Sequence, residues 1–432
     1  RGREAVTRRV YRAYSLLLAA AFALALPYYL WRDRARGRYR RTFWQRMGRL
    51  PQDLPPAGRP SVWVHAVSVG EALTARPLLR ALKERFPDRP LYLSTTTVTG
   101  AAVAQGDRAG ADGLLFAPFD WARPVRRVLA RLQPSLLVLV ETEIWPNLIH
   151  EARRRGTRVA VVNGRLSPRS FGRYRRVRRW LARVLGEVDV FLMQGEAHAQ
   201  RILALGAPRD RVRVSGNLKY DAVPEPRPPA ELAALVPAGT AEAPLWVAGS
   251  TVAGEEELVL EALARVRQAH PRLRLLLAPR HPERFAAAAA LAEEKGFRTA
   301  RRSALRGPWA EGDVLVLDTL GELARLYAQA TVVFVGGSLV PAGGHNVLEA
   351  AVAGKPVVVG PHMENFQEIA DELAGEGALV RVASPAELAA EVQALLRDPA
   401  RAAEVGARAR AVVERNRGAL ARTVDVLAGL VA

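Results

Sequence analysis

A repeated alternation of short apolar runs with amphipathic segments, interrupted once and then restarted, constrains the fold of this chain more than any other feature. The runs Ser61–Ala66, Leu91–Thr96, Gly113–Ala117, Ser135–Val140, Arg158–Val162 and Asp189–Met193 read as strands. Helical patterns lie between most of them, notably Ala72–Phe86, Trp121–Leu132 and Arg173–Leu185. The proline-rich stretch Val223–Pro229 breaks the series. It resumes with strands Leu245–Ala248, Leu273–Leu277, Val314–Leu317, Val332–Val335 and Pro356–Val359, and with helices Glu255–Gln268, Glu283–Lys295, Asn346–Val352 and Phe366–Leu373. A helical tail covers 385–432. Strands separated by helices belong to parallel sheets covered on both faces. The expected fold class is α/β: two Rossmann-like domains facing a cleft at the carboxyl ends of their strands. The boundaries fall at 1–49 for a basic amino-terminal segment, 50–222 for the first domain, 223–244 for a linker and 245–432 for the second domain with its tail.

Several chemistries are excluded or weakened. The 432 residues include no Cys, which removes disulfides, thiolate zinc sites, iron–sulfur clusters and thiol catalysis. No G-x-G-x-x-G opens either half and no G-x-x-x-x-G-K-[ST] occurs, so dehydrogenase and P-loop readings lose their main support. G-x-S-x-G is also absent.

Charge is uneven. The chain carries 63 Lys and Arg against 43 Asp and Glu, a formal +20. Residues 1–49 hold 13 Arg and two acids, and a second cluster over 165–183 holds eight Arg and no acid. Such patches fit an anionic partner, a membrane surface or nucleic acid. Ala13–Trp31 is uncharged, at about 1.5 Å per residue long enough for a bilayer core, with Tyr28, Tyr29 and Trp31 at one end. It reads as a membrane-anchor helix that spans the bilayer or lies in its interface. The Arg clusters lack interleaved aromatics and no binding module is recognisable, so a nucleic-acid partner is not expected.

The motifs gather at expected strand ends. In His65-Ala66-Val67-Ser68-Val69-Gly70-Glu71 an acid enters the first turn of a helix. Two readings stand open: a carboxylate that complements the helix dipole, and a general base for a sugar hydroxyl. Glu141-Thr142-Glu143 sets two carboxylates on one side if its strand continues. Arg165, after Asn163-Gly164, faces either an anionic substrate or a surface acid, and Lys219 closes the first half. In the second half Arg280 follows a strand, Gly321-Glu322 follows another, and Gly336-Gly337-Ser338 with Gly343-Gly344-His345-Asn346-Val347-Leu348-Glu349 offers backbone N–H groups to a phosphate. Asn346 is the expected N-cap and Glu349 can accept from both hydroxyls of a ribose.

Taken in order, His65–Glu71, Thr95–Gly100, Glu141–Asn147, Asn163–Ser167, Gly216–Asp221, Pro279–Arg284, Asp318–Leu323 and Gly336–Glu349 resemble the 3-deoxy-D-manno-octulosonic acid (Kdo) transferases of lipopolysaccharide assembly. The resemblance runs from the amino-terminal segment to about residue 420. It implies a GT-B fold and inverting, metal-independent transfer of Kdo from CMP-Kdo to a tetraacyl-disaccharide lipid A precursor at the cytoplasmic face of the inner membrane. CMP-Kdo is then the donor substrate, with no separate cofactor and no metal ligand. It assigns Glu71 as general base, with Glu141 and Lys219 stabilising the transition state. Pro279, Arg280, Leu320, Gly321, Glu322, Asn346, Val347, Leu348 and Glu349 match the CMP-binding segments. Val252 stands where the family often carries His. A sugar-nucleotide epimerase of the same fold is the nearest alternative.

Overall fold

The computed structural model describes residues 2–33, 38–51, 54–55, 58–223, 226–309 and 314–431; for residues 2–10, 26, 28–33 and 38–41 it describes the backbone alone. The chain divides into two compact units, 1–222 with 417–432, and 223–416.

The first unit contains α1 (Gly2–Asp33), α2 (Arg38–Arg46), β1 (Ser61–His65), α3 (Val69–Arg85), β2 (Leu91–Thr95), α4 (Val98–Gly106), β3 (Gly113–Phe116), α5 (Ala122–Leu132), β4 (Pro134–Val140), α6 (Pro146–Arg154), β5 (Arg158–Gly164), α7 (Pro168–Arg175), α8 (Arg178–Leu185), β6 (Val190–Met193), α9 (Glu196–Ala204) and β7 (Val212–Val214). Its seven strands form one parallel sheet in the order β3-β2-β1-β4-β5-β6-β7. β4 shows why the apolar runs become central strands. Leu136, Val138 and Val140 join α3 in one core, whereas Leu137 and Leu139 join α5 and α6 in the other. Successive side chains point to opposite faces, so a strand apolar at every position requires cover on both.

The second unit repeats the plan with α10 (Ala230–Leu235), β8 (Leu245–Thr251), α11 (Glu255–Arg267), β9 (Arg274–Pro279), α12 (Phe285–Glu294), β10 (Thr299–Arg301), β11 (Val314–Val316), α13 (Leu323–Leu326), β12 (Val332–Val335), α14 (Leu348–Val352), β13 (Val357–Val359), α15 (Gln367–Gly375), β14 (Leu379–Arg381), α16 (Pro385–Arg397) and α17 (Pro399–Asn416). Its parallel sheet has the order β10-β11-β9-β8-β12-β13-β14. The last helix, α18 (Ala419–Val431), belongs to the first unit, where its Leu427 and Val424 enter the α3 core. The sequence places it with the second half. Asp221 brings it back: its carboxylate accepts from the N–H groups of Gly418 at 2.7 Å and Leu420 at 2.8 Å, capping the helix.

Two local expectations change. The helix expected over Arg173–Leu185 is two helices, α7 and α8, because Val177 leaves helical geometry between them. The helix expected from Asn346 starts at Leu348 and is five residues long.

Among the described residues no helix is long and apolar enough to cross a membrane. Of the expected anchor, the side chains of Tyr28, Tyr29 and Trp31 lie outside the described residues. α1 instead docks along the first unit. Tyr11 stacks on His150 at 3.9 Å, Phe22 meets Phe119 and Trp121, and Tyr14 meets Trp180. The Tyr14 hydroxyl donates to Asp120 at 3.0 Å, and the same carboxylate accepts from the N–H groups of Asn147 and Leu148 at the start of α6. Burial pushes the Asp120 carboxyl up to about 7 against those three donors. The opposite side of α1 presents Leu16, Leu17 and Leu24, each at least 71% exposed.

Asp221→Ala removes the α18 cap and should cost the first unit about 0.5–2 kcal/mol. Hydrogen exchange should then show faster exchange in α18 and α3, with the second unit's amides unchanged.

Candidate active site

In the first unit the motif residues sit where β2, β1, β4 and β5, four neighbouring strands, end at one edge. Ser68 N-caps α3, and its hydroxyl accepts from the N–H of Glu71 at 3.3 Å. Glu71 answers reciprocally. Its Oε1 accepts from the Ser68 hydroxyl at 2.8 Å and its Oε2 from the N–H of Val67 at 2.7 Å, a capping box closed one residue upstream. The side chain is 7% exposed. Burial raises its pKa, the bonds from Val67 and Ser68 pull it down, and the charge of Glu143 adds to the rise. The net direction is up, so the cap does not leave Glu71 a weakened base. Thr96 fixes this loop from the next strand: its N–H and its hydroxyl both donate to the Val67 carbonyl.

The expected side-by-side Glu141 and Glu143 are placed differently. β4 ends at Val140 and Glu141 takes a left-handed φ of +61°, so strand alternation no longer relates the two. Glu143 accepts from the Trp145 indole N–H at 3.0 Å, and its pKa is raised by burial, with the Glu141 charge adding. Trp145 itself stands edge-on to the fully buried His65, which burial holds neutral down to about 4. Lys219 is half-buried in a short turn over 218–220 that packs on α3. Asn163, at φ +53° on the end of β5, holds this turn by accepting from the N–H of Leu218 at 2.9 Å. Arg165 is half-buried, and its carbonyl accepts from the Thr142 hydroxyl.

In the second unit the motifs again share one edge, at the ends of the contiguous strands β11, β9, β8 and β12. Pro279 closes β9 and Arg280 follows, its N–H donating to the Thr251 carbonyl at 2.8 Å and its side chain exposed. The charge of Arg280 acts on Tyr327, His345 and Glu349, so these four form one cluster. Burial, then the charges of Arg280 and His281, lower His345 to about 4. Burial raises Glu349, opposed by Asn346 and Arg280. The Asn346 amide donates to Glu349 at 3.1 Å while its oxygen accepts from the N–H of Leu348, so Asn346 acts from the turn before α14. Val347 and Leu348 are buried beneath it. Leu320 is exposed, Gly321 has φ +83°, and Glu322 is held by Arg302 at 3.0 Å and the Thr319 hydroxyl at 2.7 Å.

The first glycine pair does not serve an external phosphate. The fully buried Glu255 carboxylate accepts from the N–H groups of Gly337 at 2.6 Å, Ser338 at 3.0 Å, Leu339 at 2.9 Å and Val252 at 3.3 Å. A Cβ on Gly336 would stand 2.6 Å from that carboxylate. Gly-Gly here admits an internal anion, and the nest it makes is already filled.

Residues 41–222 match the family described as 3-deoxy-D-manno-octulosonic-acid transferase (kdotransferase), and residues 255–412 match glycosyl transferases group 1. The 3-deoxy-D-manno-octulosonic acid transferase of Bordetella pertussis is 39% identical over 416 residues, 92% of this chain and 94% of that one. That of Haemophilus influenzae is 34% identical over 374 residues, 86% and 87% of the two chains. The chain belongs to the Kdo transferase family. It is a glycosyltransferase, and its two parallel α/β units are those of the GT-B class. The UDP-GlcNAc 2-epimerase of Neisseria meningitidis shares the fold at TM-score 0.54 and 13% identity, over 82% of this chain and 99% of that one.

Within this transferase the sequence motifs fall on the two edges as expected, whereas Glu255, Asn163 and Trp145 gain positioning roles that their motifs do not announce. Four backbone donors converge on Glu255, so Glu255→Ala should destabilise the second unit by several kcal/mol, at about 1–3 kcal/mol for each buried donor left unpaired. A denaturation curve with that unit's transition shifted to lower urea checks this.

Proposed function

We propose that this Kdo transferase moves Kdo from CMP-Kdo to the tetraacyl-disaccharide lipid A precursor in lipopolysaccharide assembly, inverting the anomeric carbon without a metal ion. The observation that carries the mechanism is Glu71: a buried carboxylate at a strand-end edge whose two oxygens each accept one hydrogen bond and keep a lone pair. Glu71 takes the proton of the acceptor hydroxyl as its oxygen bonds to the anomeric carbon of Kdo. The bond from that carbon to the phosphate oxygen breaks on the opposite side, and its electron pair leaves with CMP. Raised by burial and by Glu143, Glu71 is a better proton acceptor than an exposed carboxylate. Glu141 and Lys219 act on the charge that develops at the sugar. Arg280 neutralises the departing phosphate, and Glu349, braced by Asn346, accepts the ribose hydroxyls. Pro279 and the Leu320–Glu322 turn complete the nucleotide site.

Membrane attachment belongs to the same reading. α1 lies on the cytoplasmic face of the inner membrane with Leu16, Leu17 and Leu24 in the interface. The Tyr14–Trp180 contact places the Arg-rich α7 and α8 beside it, where their charge favours an anionic surface.

Incubation with CMP-Kdo and the tetraacyl precursor, followed by mass spectrometry of the lipid, should show gain of Kdo that persists in EDTA. Glu71→Gln should bind CMP normally and lose transfer by about 10²–10⁴-fold; near-normal turnover would remove Glu71 as the base. Because the base works ionised and its pKa is raised, kcat/KM should fall as pH drops, with a midpoint above 4.5. Glu143→Gln, which removes the charge that adds to the rise, should move that midpoint down.

A further inference from the structure

We infer that the first unit carries a binding pocket for the headgroup of an anionic glycerophospholipid, between α1 and the α5–α6 pair. The inference rests on the proposed membrane attachment and goes beyond it, from a charged surface to a defined lipid site. A cavity of about 890 Å³ opens there, within the size range of small-molecule sites. Arg12 of α1, Arg126 of α5, and Arg154 and Arg155 at the end of α6 line it, and all four are exposed or half-exposed to it. One carboxylate opposes them. Glu151 holds Arg126 through two bonds of 2.7 and 2.8 Å, which fixes that guanidinium in place and leaves the lining net positive.

The cavity has an apolar rim that a soluble anion does not need. Leu16 lines it and is 71% exposed, and it continues the outward face of α1 that also carries Leu17 and Leu24. An anion seated among the arginines therefore has apolar surface alongside for its acyl chains. Guanidinium groups suit this ligand, since they bind phosphate through paired N–H donors.

The pocket is separate from the proposed reaction site. α5 and α6 cover the sheet face that receives Leu137 and Leu139, whereas Glu71 belongs to α3 on the face of Leu136, Val138 and Val140. Arg154 lies eight residues along α6 from Pro146, about 12 Å down the helix from the strand-end edge. A bound phospholipid would tie α1 to α6 and set how the unit sits on the leaflet.

The test uses the full chain in nanodiscs of phosphatidylcholine with or without phosphatidylglycerol, released into native mass spectrometry. The wild type should retain phosphatidylglycerol over phosphatidylcholine by about tenfold. Arg154→Ala/Arg155→Ala should lose that preference, while Arg175→Ala/Arg179→Ala, which removes equal charge from α7 and α8, should keep it. Equal retention by the two double variants would overturn the pocket and leave membrane attachment standing. Wild-type protein that fails to sediment with phosphatidylcholine vesicles, with or without phosphatidylglycerol, would overturn the attachment and the pocket together. Displacement of the lipid by millimolar inorganic phosphate, or by one equivalent of the tetraacyl acceptor, would overturn the phospholipid as the occupant.

Discussion

Parallel strand pairing is the constraint on which the rest depends. A parallel strand returns only through a crossover, here almost always a helix, so every loop that follows a strand falls on the same edge of its sheet. In each unit this gathers residues that lie far apart in the chain. Glu71, Thr96, Glu143 and Asn163 come from four neighbouring strand ends of one sheet, and Arg280, Glu255, Glu322 and Glu349 serve the corresponding edge of the other. Buried apolar strands such as β4 and β9 hold that edge in place beneath the polar loops.

Four carboxylates at these edges illustrate how one local arrangement takes different uses. Asp221, Asp120 and Glu71 accept from backbone N–H groups at or near a helix start, and Glu255 from Val252 just before α11 and from the turn after β12. Asp221 and Asp120 link elements distant in sequence, the first to α18 and the second to α1 through Tyr14. Glu255 is saturated, with four donors and no exposed surface, so it can accept nothing further and works as an internal anion. The Glu71 carboxylate has only two partners, the Val67 N–H and the Ser68 hydroxyl of its own capping box, retains 7% exposure and feels a second carboxylate. The helix-cap reading and the proposed base are compatible: the capping box orients the group, and burial raises its basicity.

The sequence carried the central strands because each is apolar at consecutive positions, and β12 begins and ends where its four apolar residues do. The edge strands β7, β10 and β14 were not legible, since each has three residues and exposes part of its surface. α18 was misassigned because its apolar stripe states only that it needs a core, and the capping bond from Asp221 that selects the core spans 197 residues. The glycine pair at 336–337 announced close approach of an anion, which is physically right; that the anion is Glu255, 82 residues upstream, depends on how β8 and β12 pair. The amino-terminal run 13–31 showed apolarity but not its distribution around the helix, and Tyr11, Tyr14 and Phe22 direct one side of it into the protein.

That docking changes what α1 can do. A helix free along its length can bury its whole circumference in hydrocarbon, whereas one fixed through Tyr14, Asp120 and the start of α6 offers only its outer face. The proposed interfacial attachment uses that outer face alone. The docking also ties α1 to α6, whose first turn is pinned by the same Asp120 carboxylate, two residues after Trp145 and four after Glu143. The route from α1 to the carboxylate of Glu143 is therefore short and runs through hydrogen bonds: α1 and the loop that holds Glu143 share one buried acid, Asp120.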